Sequence, residues 1–221
     1  EAVHIEEPRF TKWLFASTSI AWFWLIVRLW LGWEWLHAGW GKVFGGEIDP
    51  FSGNFSLFGD GNIGWVRAGE VVRDGQTVSV AVGDSVAGFA ARGVEAASGP
   101  HPTVAFRWYA DFLEWIQTTG HPILGPMVAI GELVIGILLI LGLFTGIAAF
   151  LGSILNFSFV FAGSAGVNPA MIMISGLLIL AWRNAGWIGL DRWVLPWLGV
   201  PWKPGPALTR TEDMASPADS T

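Results

Sequence analysis

The sequence predicts an all-α membrane protein: a bundle of four transmembrane helices with an extramembrane insertion between the first and second. Three observations carry this expectation. From Ile123 to Trp182, sixty residues contain one ionisable side chain, Glu132. Hydrophobic residues make up 52% of the chain and charged ones 14%, a balance suited to a protein solvated largely by hydrocarbon. The apolar runs also lack the alternation of barrel strands, and in lipid only helices or closed barrels satisfy every backbone polar group.

The elements follow in order. After a polar N-terminus, 1–12, the apolar stretch 13–43 forms the first span. It is longer than a signal-peptide core and no small-residue cleavage site follows it, so it is expected to stay as an anchor. Trp22, Trp24, Trp30, Trp33 and Trp35 lie along it; their indole N–H groups need partners, so part of this helix faces protein.

The segment 44–120 is too long to be a mere connection. Within it, β-branched runs from Val71 to Val82 flank Asp74-Gly75, a hairpin signal. Residues 103–118 place Phe106, Tyr109, Phe112, Leu113 and Ile116 on one helical face and Arg107, Asp111, Glu114 and Thr118 on the other. That is the pattern of a helix lying in the membrane surface or packed on the β cap.

Residues 121–185 hold spans two to four, divided by the glycine-rich breaks Gly142–Gly146 and Gly163–Pro169. Asn168 is expected to cap the last helix, with Pro169 in its first position. Residues 186–221 read as an interfacial segment and a mobile tail. Trp182, Trp187, Trp193, Trp197 and Trp202 supply the interfacial belt, because tryptophan favours the headgroup region.

Charge orients the bundle. Arg9 and Lys12 precede the first span and Arg183, Arg192, Lys203 and Arg210 follow the fourth, so both termini are expected on the cytoplasmic side of the inner membrane and 45–103 outside. The net charge of −6 argues against nucleic acid as a partner. With no cysteine, the chain by itself holds no iron–sulfur cluster or thiolate redox centre.

Chemistry is expected where the membrane contains charge. The first span carries Arg28, Glu34 and His37, with Lys42 at its outer end; the second carries Glu132 and the third Asn156. At a rise of about 1.5 Å per residue, His37 lies about 8 Å deep, Glu34 about 12 Å, Glu132 about 15 Å and Arg28 about 21 Å. A structural reading pairs Arg28 with Glu132 as an ion pair locking the first two helices. A functional reading has Glu132 or Glu34, with His37, exchange protons beside a reducible or hydrophobic ligand, with Asn156 as a further polar contact and Trp33, Trp40 or Phe157 against its ring.

Glu34 and His37 also form a Glu-x-x-His pattern. A di-iron bundle needs two such motifs and a Glu from each of two other helices, so no metal is expected. Haem, flavin and dinucleotide sites find no matching residues either.

Arg28–Val43 (RLWLGWEWLHAGWGKV) and Gly131–Gly146 (GELVIGILLILGLFTG) resemble the first two helices of the DoxX/DoxD-like membrane proteins. Asn156–Pro169 resembles the third helix and its following turn, and Ala185–Arg192 the ending after the fourth. The resemblance implies the same four-helix bundle. DoxD-type members are linked to thiosulfate oxidation with electrons passed to quinone, and DoxX-like proteins occur as membrane components of oxidoreductase assemblies. It therefore implies a subunit of a redox assembly, working with other subunits in the bilayer and binding a quinone in the outer half of the bundle. Two alternatives stand beside it: an architectural subunit without chemistry, and a small-molecule or lipid permease.

Overall fold

The computed structural model describes residues 8–59, 63–73 and 75–199, with the Arg73 side chain excluded. The expected tail from Lys203 onward and Asp74 of the hairpin lie outside the described residues.

The chain begins with α1 (Arg9–Ala16), a 3-10 turn (Thr18–Ile20) and α2 (Ala21–Phe44). Ser17 takes an extended conformation between them, and the two helices meet at 58°. The bend is held from two sides. Trp24 Nε1 donates to the Leu14 carbonyl at 2.8 Å, and Asn184 Nδ2 donates to the carbonyls of Leu14 at 3.1 Å and Ser17 at 2.7 Å. One indole of the first span thus finds the partner its burial demands.

The insertion starts with two antiparallel hairpins, β1 (Gly45–Glu47) with β2 (Ser56–Phe58), and β3 (Gly69–Arg73) with β4 (Gln76–Val80). The second occupies the predicted hairpin position, with Arg73 opposite Gln76 and Gly75 at φ 78° closing the turn. A helix that periodicity had not singled out follows, α3 (Asp84–Ser98).

The next helix corrects an expected boundary. α4 (Arg107–Trp115) does not end before the second span; a π turn over Ile116–Gly120 joins it to α5 (His121–Leu141), giving one 35-residue helix. Pro122 follows directly on this junction, and proline lacks an N–H and crowds the carbonyl four residues earlier. A π turn widens the helix at that point and accommodates it. Tyr109 and Leu113 of α4 and Ile116 of the π turn are buried with Val86 and Ala90 of α3 and Ala162. The amphipathic helix therefore packs on a helix of the insertion, not on a β cap.

α2 and α5 run antiparallel in close contact. A Cβ on Gly39 would lie 2.3 Å from the Leu133 nitrogen, and one on Gly136 would lie 2.4 Å from the Leu36 nitrogen. Small residues let helix backbones approach where lipid offers no hydrophobic drive to association. These contacts set the register: Gly39 stands level with Glu132–Leu133, and Gly32 with Leu139–Ile140.

α6 (Thr145–Phe161) and α7 (Asn168–Leu180) complete the bundle, followed by the short α8 (Trp182–Ala185) and α9 (Asp191–Trp197). Asn168 does not cap α7. It is the first helical residue, and its Nδ2 donates to the Ser164 carbonyl at 3.0 Å. Trp24, Leu31, Trp35, Leu139, Ala148 and Leu178 form the core between the four long helices, while Ile123, Ile130, Ile147, Phe150 and Met173 point outward. Among the described residues, Arg107–Leu141 is the one continuous helix long and apolar enough to cross a membrane; α1 and α2 pass that test together as a bent pair.

Candidate functional site: a polar cavity beneath the insertion

A cavity of about 310 Å³ lies where the four long helices meet the insertion. α2 contributes Glu34, His37 and Lys42, α5 contributes Glu132, α6 contributes Asn156 and α7 contributes Asn168. The four polar candidates of the sequence, Glu34, His37, Glu132 and Asn156, therefore line one space. Its apolar wall differs from the expected one. It includes Trp35, Phe159 and Met171 of the bundle, together with Trp65 and Phe89 of the insertion.

The expected Arg28–Glu132 ion pair is replaced by another. Glu132 pairs with Lys42. The α2–α5 register explains the change: Gly39 is level with Glu132, so Lys42 lies within one turn while Arg28 lies eleven residues away, about 16 Å along the helix. Lys42 Nζ also sits 4.9 Å from the centre of the Trp65 ring, so the ammonium is held between a carboxylate and an aromatic face.

Trp65 is itself fixed. Ser85 N donates to the Gly64 carbonyl at 3.0 Å, Ser85 Oγ donates to the Ile63 carbonyl at 3.2 Å, and Gly64 adopts φ 101°. A Cβ on Gly125 would approach the Trp65 carbonyl to 2.9 Å, so the insertion lies directly on α5.

His37 Nδ1 is 3.1 Å from the Trp33 carbonyl. A carbonyl only accepts, so Nδ1 carries the proton and Nε2 of the neutral ring is an acceptor. Asn156 is fully buried, and neither its Nδ2 nor its Oδ1 has a partner among the described residues. Leaving a buried polar atom unbonded costs about 1–3 kcal/mol. The Trp35 indole N–H nearby is likewise unpartnered.

Three predicted ring contacts fall elsewhere. Trp33 stacks on His37 at 6.1 Å between ring centres, outside the cavity lining. Trp40 turns to the first hairpin, donating from Nε1 to the Leu57 carbonyl at 2.8 Å and packing on Phe44 and Phe58. Phe157 faces outward beside Trp108 and Phe112. Sequence reasoning missed Trp65 and Phe89 because nothing local to either residue tells where a loop folds back over a bundle. For Lys42 the signal was present in its position at the outer end of the first span.

Arg28 serves the opposite end of the bundle, where the described chain begins and ends. Its Nη1 donates to the Ala185 carbonyl at 2.9 Å and its Nη2 to the Ile188 carbonyl at 2.7 Å. Asp191, fully buried, accepts from the backbone N–H groups of Phe144 at 2.6 Å and Thr145 at 3.0 Å, which caps α6. The Asp191 and Leu190 nitrogens in turn donate to the carbonyls of Gly142 and Leu141. This knot ties the α8–α9 turn to the α5–α6 turn.

The helical fold, its apolar exterior and the polar cavity under the insertion fit a helical membrane protein. Residues 86–165 match the family model DoxX, a match that supports a DoxX-family membrane protein. The match spans most of α3, all of α4 and α5, and α6. Part of what the sequence suggested was inserted thus belongs to the matched segment, while Arg28–Val43 lies outside it. No curated protein and no solved structure matches the chain.

Proposed function

We propose that this protein is a membrane subunit of a redox assembly that binds a quinone-class head group in the cavity beneath the insertion. The observation that carries the reading is Asn156, a fully buried amide with both polar atoms unpartnered, on a cavity that also holds Lys42, Glu132 and His37. A ring with oxygens at opposite ends suits such a space. One oxygen accepts from Asn156 Nδ2 or, in the reduced form, donates to Oδ1. The other meets the Lys42–Glu132 pair, which can donate, accept and relay a proton. Trp65, Phe89 and Phe159 supply an apolar wall of the kind small-molecule sites use. Partner subunits supply and withdraw the electrons.

In this reading α2, α4–α5, α6 and α7 each cross the bilayer, with both termini cytoplasmic and the hairpins outside. α6 and α7, at 17 and 13 residues, are about 25 and 20 Å long. Their spans are completed by the flanking turns and by thinning of the bilayer.

The test is to purify the protein with its partners in mild detergent, extract and quantify bound quinone, and compare the parent with Asn156→Leu and His37→Phe. Quinone content should fall in both variants at unchanged expression. Equal content and unchanged electron transfer would remove the quinone reading and leave an architectural subunit.

A further inference from the structure

The first hairpin of the insertion leaves α2 without a linker, since β1 begins at Gly45, the residue after Phe44. β2 then returns along the helix. The Leu57 carbonyl accepts from Trp40 Nε1, and the Phe58 ring centre stands 5.8 Å from that of Phe44 and 6.5 Å from that of Trp40. Trp40 lies four residues before the helix end, about 6 Å back along the axis, so the hairpin is folded down beside the last turn of α2.

Its far end is apolar and bare. Phe51 is 94% exposed, and Phe55, Leu57 and Phe58 are half or more exposed. Side-chain bonds fix the turn that carries them: Phe51 N donates to Asp49 Oδ1 at 2.9 Å, Asp49 N to Glu47 Oε1 at 3.0 Å and Ser52 Oγ to the Asp49 carbonyl at 2.8 Å. The base is tied as well, Gly59 N donating to the Phe44 carbonyl at 3.2 Å and Arg67 Nη2 to the Gly59 carbonyl at 2.9 Å.

A fixed turn that holds large apolar side chains together in the open marks a surface to be covered. Residues 45–58 contain no lysine or arginine and two acids, Glu47 and Asp49, so attraction to an anionic surface is not what holds it. The position of the hairpin supplies the cover. It continues the outer surface of α2 at the end of the span, where Trp40 marks headgroup depth, and Phe and Leu side chains at that depth bury against the acyl boundary.

We propose that the first hairpin is an interfacial anchor, with Phe51, Phe55 and Leu57 entering the outer leaflet of the bilayer that α2 crosses. The proposal rests on the reading of α2 as a span. The anchor acts through apolar area, so a zwitterionic lipid surface serves it as well as an anionic one. Arg67, two residues after Trp65, bonds to the base of the hairpin, so the leaflet helps to hold the cover over the cavity.

The chain has no cysteine, so single labels test this cleanly. Phe51→Cys and Ile26→Cys, both at exposed positions, are labelled with an environment-sensitive fluorophore in phosphatidylcholine nanodiscs, with and without nitroxide-bearing acyl chains. Both labels should emit blue-shifted light and lose emission to the nitroxide, and adding phosphatidylglycerol should not deepen the loss at Phe51. A quenched Ile26 label beside an unquenched, water-like Phe51 label overturns the anchor and spares the span. An unquenched Ile26 label overturns the reading of α2, and the anchor with it. A blue-shifted Phe51 label that nitroxide lipid leaves untouched also overturns the proposal, because protein, a partner or a second copy, then covers the hairpin.

Discussion

The two ends of this bundle each hold a cation and a buried acid, and they treat them differently. At the terminal end, Arg28 and Asp191 bond to the backbone: two carbonyls accept from the guanidinium, and two N–H groups donate to the carboxylate. Those groups stitch α2 and two turns together and leave little polar capacity for anything else. At the insertion end, Lys42 and Glu132 pair with each other and face a cavity, beside an amide without a partner among the described residues. Arg28 and Asn184 each leave one atom unbonded but are anchored through others. Buried charge that is tied to backbone holds a fold; buried charge that meets only side chains and open space remains available for chemistry.

The contrast can be broken first at the terminal end. Asp191→Ala removes the cap of α6 and leaves the backbone N–H groups of Phe144 and Thr145 without their acceptor, at about 1–3 kcal/mol for each unbonded donor. Thermal melts in detergent should show a large destabilisation, and quinone content per folded molecule should not change. A variant as stable as the parent would deny the terminal end its structural role.

The shared α2–α5 contact comes next. Gly39→Val places a side chain where a Cβ already meets the Leu133 backbone at 2.3 Å. Overpacking of this kind costs about 1–3 kcal/mol, and the shifted helices should also separate Lys42 from Glu132. Loss of stability together with loss of bound ligand is the expected signature. Loss of neither would mean that this contact does not set the register.

At the insertion end the effects should be smaller and should separate function from folding. Glu132→Gln leaves Lys42 beside a neutral partner, for about 1–3 kcal/mol. The double change Lys42→Met/Glu132→Leu should lie within about 1 kcal/mol of the parent, because a buried pair replaced by apolar groups of similar size is often neutral. Both variants should lose ligand. Smallest of all in stability is Asn156→Leu, which removes two unbonded polar atoms and should be neutral or slightly stabilising in melts. If Asn156→Leu destabilises the protein by more than about 1 kcal/mol, the amide has a structural partner and the contrast between the ends weakens.

What the sequence determined by itself was local. The apolar runs, their glycine breaks, the hairpin signal at 71–82 and the outer-half depth of Glu34, His37 and Glu132 follow from composition and from a fixed rise per residue, which need no knowledge of neighbours. The polar residues of the cavity were legible for the same reason, because charge inside an apolar run is conspicuous wherever the run packs. The tertiary structure decided which groups meet. Glu132 pairs with Lys42 and not with Arg28 because Gly39 and Gly136 set the offset between two antiparallel helices, a quantity that neither helix carries alone. Trp65 and Phe89 became walls, and Trp33, Trp40 and Phe157 did not, because that depends on helix rotation and on where the insertion folds back. The sequence put a boundary between the amphipathic helix and the second span, yet a π turn over Ile116–Gly120 carries the helix through it. Side-chain pairing across elements is fixed by the relative position of whole helices, and that position is a property of the packed bundle.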